Sequence, residues 1–305
     1  MRLRIAVSLF IGLVSGVFCW FLLHHFNQGA ADFQWAIRAA RYALSRSNPY
    51  NTPLEQYPIT AALFAIPFVR LVPDVAAGAF FGISSGLLAF GLTRHSYTRL
   101  LVFLAYPYWA AIITAQWSPL IMAAAFFPIL LPVTMTKPQV GFPVAMTHLS
   151  RRGVIACIAW VLLSLILLPA WPWLWYGQLG NYEHFFPLFV LPGPLLLLAL
   201  LGYRERDTWL LLLAAIMPQR WFFDAYTLWL IPKSRREILG TVALSWGAGI
   251  WRWYRIPTSF VQVGRWAVLC FYLPMLVVLL TRKYWPQLTS DNAPENLRNQ
   301  TSANR

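Results

Sequence analysis

The chain has 305 residues, of which 59% are hydrophobic, 16% aromatic and only 11% charged. Soluble domains carry about 25% charged residues, and a soluble fold this apolar could not cover its own surface, so the expectation is a polytopic membrane protein. The net charge of +14 does not point to nucleic acid, because the basic residues stand in short clusters between apolar runs and no basic stripe alternates with exposed aromatics.

In chain order, Arg2 and Arg4 precede an apolar run from Ile5 to Leu23. That run is nearer to a membrane span than to the core of a cleavable signal, with Gly29-Ala30-Ala31 a weak cleavage site, and an uncleaved first span is expected. The charge rule places the N-terminus in the cytoplasm and the segment 24–57 outside. Asp32 to Ser45 reads as an amphipathic helix in the outer interface. Phe33, Ile37, Ala40 and Leu44 form its apolar stripe, while Arg38, Arg41 and Ser45 share another face. Asp32 stands at the first turn, where a carboxylate can cap free N–H groups or serve chemistry. Asn48-Pro49-Tyr50 ends the helix.

A second span is expected over Pro58 to Val72, a tight cytoplasmic turn at Pro73-Asp74, and a third span over Val75 to Leu92. This count puts the basic turn Arg94 to Arg99 outside, against the charge rule. Spans follow at Leu100 to Thr114 and Pro119 to Val133, then a shorter segment, Gln139 to Leu149, ending at Arg151-Arg152. The second half obeys the charge rule. Outer segments at Trp171 to Pro187, Pro218 to Asp224 and the WRWYR stretch alternate with cytoplasmic YRERD, KSRRE and Thr281-Arg282-Lys283. The expected fold is all-α and polytopic, with about 9–12 transmembrane or partially spanning helices and an interfacial amphipathic helix in the first outer loop. Residues 1–285 form one domain, and 286–305 a disordered cytoplasmic tail.

The polar residues locate candidate chemistry. Among ten acids, Asp32, Glu55, Glu183 and Asp224 fall outside, while Asp74, Glu205, Asp207, Glu237, Asp291 and Glu295 fall inside, mostly beside Arg or Lys or in the tail. The outer acids sit among aromatic and apolar residues, where a carboxylate needs a stronger reason. Lys137 stands between apolar segments, where a charge usually has a partner or a function, unless it snorkels to the interface. Gln116 breaks two apolar runs, and a simple turn explains it equally well. On straight helices Gln116 and Lys137 lie on opposite sides, because a separation of 21 positions rises about 30 Å. They meet only if Pro128 and Pro132 break the path. Arg220 and Asp224 have the i,i+4 spacing of a helical pair. Cys19, Cys157 and Cys270 fall in apolar runs and the histidines are scattered, so no metal set is expected, and no nucleotide-binding glycine loop or serine-hydrolase elbow is present.

An ordered set of motifs carries a resemblance: Ala31-Asp32-Phe33 after the first span, an interfacial helix, Asn48-Pro49-Tyr50, Tyr57-Pro58, Gln116 after a run containing Pro107, Lys137-Pro138, and Met217-Pro218-Gln219-Arg220-Trp221. Over roughly residues 1 to 235 the chain resembles the GT-C superfamily of integral-membrane glycosyltransferases. It looks closest to bacterial, mannosyltransferase-like members that use a polyprenyl-phosphate sugar. The resemblance implies transfer of a hexose or mannose-like sugar from that donor to a lipid or glycan hydroxyl at the outer face of the bacterial cytoplasmic membrane. Membrane lipids and the lipid-linked sugar would be its partners, with no cofactor, no metal and no nucleic acid. Asp32 is the implied base. Arg38, Arg41, Lys137 and Arg220 are candidates for the donor phosphate, and Glu55, Tyr57, Gln116, Gln139 and Asp224 for other substrate contacts. Residue chemistry agrees: phosphate is a good leaving group, so one carboxylate that deprotonates the acceptor suffices, and cations can stabilise the departing charge. The Trp171 to Pro187 stretch could offer aromatic faces to a sugar or form an interfacial belt. A lipid or small-solute transporter and a non-catalytic membrane subunit are the competing readings.

Overall fold

The computed structural model describes residues 1–45, 47–51, 57–181 and 183–289. The described residues fold into α- and 3-10-helical segments and one π-helical turn, Val268–Tyr272, without a strand, apart from one isolated antiparallel bridge between Phe185 and Gln219. Three helical stretches are long and apolar enough to cross a membrane: Arg2–His25, Pro73–Leu92 and Phe260–Tyr284. The short helix Pro286–Thr289 occupies the start of the segment expected to be a disordered tail, and the rest of that tail from 290 onward lies outside the described residues.

The polarity of the first helix is inverted relative to a soluble protein. Its buried face is Ser8, Gly12, Ser15, Cys19 and Leu23, whereas Leu9, Phe10, Leu13, Val17 and Phe21 are exposed. Small residues toward protein and large apolar residues outward is the arrangement lipid favours, because close backbone approach then supplies the packing that hydrophobicity cannot. The partner is Pro73–Leu92, which runs antiparallel to it. A Cβ at Gly82 would stand 2.8 Å from the Gly12 carbonyl oxygen, so only hydrogen fits at the crossing.

Two ties fix the direction of this pair. At one end Arg4 donates to the Phe90 carbonyl at 2.9 Å. At the other, His24 Nδ1 lies 2.8 Å from Asp74 Oδ2. Pro73-Asp74 therefore lies at the His24 end, whereas the expected span over Pro58 to Val72 would have placed it at the opposite end. The apolar run before it does not traverse the molecule. It forms only the helix Thr60–Ala65 and the 3-10 turn Ile66–Phe68, too short to cross, and Arg41 donates to the Val69 carbonyl at 3.0 Å. The following helix crosses in its place. Arg94 to Arg99 then falls at the Arg4 end, together with the other early basic residues, and Asp74 falls at the His24 end.

The 3-10 segment Tyr97–Leu104 and the helix Tyr106–Ile112 lead back to Asp32, whose N–H donates to the Thr114 carbonyl at 3.1 Å. From Ser118–Ala123 the chain reaches Phe126, which packs on Gly91 toward the Arg4 end. It returns through the 3-10 segment Pro128–Met135. Proline removes an N–H and crowds the preceding turn, so this broken hairpin replaces the straight span expected over Pro119 to Val133. It brings Lys137 back to the level of Gln116.

The far end is tied by Arg282. Its guanidinium donates to Glu237 Oε1 at 2.7 Å, Asp207 Oδ2 at 3.0 Å and the Ile231 carbonyl at 2.6 Å. Lys233 meets Asp207 at 2.5 Å, and Lys283 donates to the Leu201 carbonyl. The clusters expected to share one side in the second half are thus joined to one another.

Candidate functional site

Asp32, Gln116 and Lys137 form a closed ring of hydrogen bonds. Asp32 Oδ2 accepts from Gln116 Nε2 at 2.6 Å and from Lys137 Nζ at 2.9 Å. Lys137 Nζ also donates to Gln116 Oε1 at 2.5 Å. An ammonium only donates and a carboxylate only accepts, so the Gln116 amide can be oriented in one way. Both contacts fall on the same carboxylate oxygen, and Oδ1 is left for a further partner. The Asp32 side chain is 38% exposed and that of Lys137 only 2%. The carboxylate therefore opens outward on top of a buried cation.

Local sequence explains how each member is presented. Ala31 and Ala115, immediately before Asp32 and Gln116, adopt positive φ of 43° and 49°. Alanine pays about 1 kcal/mol or more there, and such residues concentrate where a side chain must be aimed. The next residues are aromatic anchors. Phe33 stacks on Phe80 with centroids 4.1 Å apart, and Trp117 lies 4.7 Å from the same ring. Each polar residue is thus sharply turned and held by a buried aromatic. Lys137 precedes Pro138, which bars it from helical backbone and makes it the N-cap of Pro138–Thr147. Its ammonium stands 5.2 Å from the centres of both the Tyr57 and Phe223 rings. Replacing Ala115 by Gly relieves the left-handed backbone, and we expect an unchanged or higher melting temperature, by up to about 1 kcal/mol of stability. Differential scanning fluorimetry in detergent reads this; a clear loss would contradict the positive φ at Ala115.

Burial pushes the Asp32 carboxyl upward, but the Lys137 charge and the hydrogen bonds from Lys137 and Gln116 outweigh it, with help from the Arg220 charge. The net effect holds Asp32 below the ordinary carboxylate range. Asp224 goes the other way. Its burial dominates the opposing charge of Lys137, and its carboxyl is lifted. Two carboxyls near one lysine are thereby shifted in opposite directions, Asp32 down and Asp224 up.

The remaining expected residues fall into three groups. Arg220 lies close enough for its charge to act on Asp32, and its guanidinium stands 5.8 Å from the Phe260 ring centre. Its expected side-chain pair with Asp224 is replaced by backbone contacts: Asp224 Oδ2 accepts the N–H groups of Arg220 at 3.0 Å and Trp221 at 3.4 Å. Tyr57 belongs to the aromatic wall, and Gln139 is buried, its carbonyl accepting Gln219 Nε2 at 3.3 Å. Arg38 is half-buried on the helix Gln34–Leu44, whereas Arg41 is turned onto Val69, away from the ring. Leu44, expected on the buried stripe, is exposed, and Trp35, Ala36, Ala39 and Ala43 complete the buried face instead. The capping alternative for Asp32 is also corrected: Phe33 is the N-cap of that helix, and no side chain caps it. Glu55 lies outside the described residues.

Sequence reasoning did not identify Phe223, Trp117 or Trp35, which stacks on Tyr57 at 4.6 Å. The signal available for Trp117 was its place after Gln116, matching Phe33 after Asp32. Gln219, named in the sequence only as part of the motif Met217 to Trp221, is buried, with its Oε1 accepting no hydrogen bond among the described residues. The described residues contain no cluster of His, Cys, Asp or Glu able to hold a metal ion. No family model, no curated protein and no solved structure matches the chain.

Proposed function

We propose that the protein is an integral-membrane glycosyltransferase. It moves a sugar from a polyprenyl-phosphate donor to an acceptor hydroxyl at the outer face of the bacterial cytoplasmic membrane, with Asp32 as general base. The observation that carries this reading is the ring of Asp32, Gln116 and Lys137, assembled from three segments that are far apart in sequence. In this scheme Asp32 Oδ1 takes the proton of the acceptor hydroxyl as that oxygen attacks the anomeric carbon. The bond from that carbon to the phosphate oxygen breaks, and its electron pair leaves with polyprenyl phosphate. Attack and departure on opposite faces invert the anomeric centre. No acid is required, because phosphate leaves as an anion.

The geometry revises one assigned role. Lys137 is buried and already donates to Asp32 and Gln116, so it acts as a positioning residue that fixes Oδ2 and keeps Asp32 ionised. Stabilisation of the leaving phosphate then falls to Arg220, with Arg38 as the second candidate. The three long apolar helices support the membrane setting, and the tie of Arg4 to Phe90 at the end opposite Asp32 supports a cytoplasmic N-terminus under the charge rule.

One observation favours a second reading. A carboxylate already paired with lysine suits a non-catalytic membrane subunit, in which the ring is only a structural tie. Vesicles containing the purified protein and a polyprenyl-phosphate hexose labelled in the sugar separate the readings. Transfer of label to a lipid or glycan acceptor with release of polyprenyl phosphate supports the enzyme. Donor that persists unreacted across the polyprenyl-phosphate hexoses and acceptors tested supports the subunit, and solute flux without transfer supports a transporter.

A further inference from the structure

At the Asp32 end of the molecule the helix Arg235–Tyr254 passes through the stretch 255–259 into Phe260–Ala267. Between them lies a cavity of about 410 Å³ whose lining includes Trp251, Arg255, Ile256, Gln262, Arg265 and Trp266. It contains two arginines and no acid. Arg255 and Arg265 are exposed, and neither guanidinium hydrogen-bonds another described residue. Trp251 and Trp266 stack with centroids 5.4 Å apart and planes 22° apart, which makes a flat apolar wall. Gln262 turns its carbonyl oxygen to the Thr258 N–H at 3.1 Å, so its amide N–H groups remain available to an acceptor. Trp253, Tyr254 and Ile256 on the same turn are exposed. Large exposed aromatics beside a charged turn are the pattern of a membrane interface.

We propose that this cavity is a binding site for the headgroup phosphate of an anionic phospholipid. Arg255 and Arg265 would grip the phosphate oxygens from two sides, Gln262 would add a neutral donor, and the Trp251–Trp266 wall would cover the glycerol and first acyl carbons. The chemistry is specific in each part. Two guanidinium groups with no carboxylate between them call for an anion, and the planar fork of arginine matches phosphate geometry. The apolar wall and the exposed Trp253, Tyr254 and Ile256 call for a ligand that is half lipid. A free anion would use the arginines and leave the wall unused. This site is separate from the Asp32 ring and does not depend on the glycosyltransferase reading.

Native mass spectrometry of the full-length protein in detergent tests it, with phosphatidylglycerol, phosphatidylethanolamine and inorganic phosphate as three separate probes. The expected result is a phosphatidylglycerol adduct that resists dissociation more than the phosphatidylethanolamine adduct. Arg255→Gln or Arg265→Gln should weaken it about tenfold, and Arg265→Lys should weaken it less. Arg236→Gln, at the opposite end of the same helix, should leave it unchanged. Each variant is first checked for unaltered elution and melting temperature. A phosphatidylglycerol adduct that survives the double variant Arg255→Gln/Arg265→Gln overturns the proposal. Displacement of the lipid by equimolar inorganic phosphate overturns it as well, because the site would then select a free anion.

Discussion

Asp32→Asn is expected to lower the rate of sugar transfer by about 10²–10⁴-fold without unfolding the protein. Asparagine has nearly the same shape, and its carbonyl oxygen can still accept from Gln116 and Lys137 as Oδ2 does in the native ring. What it cannot do is take a proton from an acceptor hydroxyl. The loss should therefore appear in the turnover number, with the donor still bound. Initial rates with labelled polyprenyl-phosphate hexose, beside a melting curve of the same preparation, check this. If transfer continues at the native rate, the base is another group, and Asp224 is the next carboxyl to test because it also feels Lys137.

The second large effect is expected from Lys137→Met. Methionine fills much of the same space, but it leaves Asp32 and Gln116 facing one another without the ammonium that joins them. Breaking a fully buried ion pair costs about 3–5 kcal/mol. Asp32 is 38% exposed, so water compensates part of the loss and about 2 kcal/mol is the expected destabilisation. The double variant Asp32→Asn/Lys137→Met should lose less than the sum of the two single losses, as required of groups in direct contact.

The same substitution has a signed effect on pH dependence. In the native protein the carboxyl of Asp32 is held below its ordinary value, so its ionisation adds stability above the unfolded value, and that contribution is lost as pH falls through the folded value. Removing Lys137 leaves the burial and deletes the main opposing charge. The carboxyl then rises, with only the Gln116 hydrogen bond and the Arg220 charge left to oppose burial, and the acidic limb of the kcat/KM profile moves to higher pH. A limb that stays in place in Lys137→Met would show that Lys137 does not set the charge of the base.

Much of this arrangement was legible in sequence, for identifiable reasons. Asp32, Gln116 and Lys137 each stood out because polar residues are costly between apolar runs. Their meeting could not be read, since 21 residues of straight helix would hold Gln116 and Lys137 about 30 Å apart. Only the route through Phe126 and the proline-containing segment Pro128–Met135 brings them together. The direction of the early chain was misread for the opposite reason. Pro58 to Val72 is apolar enough to suggest a span, yet hydropathy does not reveal that its helix stops after Ala65. The warning was present in Arg94 to Arg99, which falls together with the other early basic residues once that run is kept at the Asp32 end. The aromatic surroundings of Lys137 were hidden because Tyr57 and Phe223 come from distant segments and resemble ordinary core residues.

The configuration of the transferred sugar decides whether Asp32 acts as the base in a single displacement. A single carboxylate acting as base, with phosphate leaving unaided, requires one displacement and therefore one inversion. Product formed by the purified protein from a donor of known anomeric configuration can be read by the one-bond carbon–hydrogen coupling at the anomeric position. The expected product has the configuration opposite to that of the donor, and it forms only when residue 32 is aspartate. Retained configuration would contradict it, because retention needs two displacements, with a carboxylate such as Asp32 attacking the anomeric carbon as a nucleophile instead of taking a proton as a base.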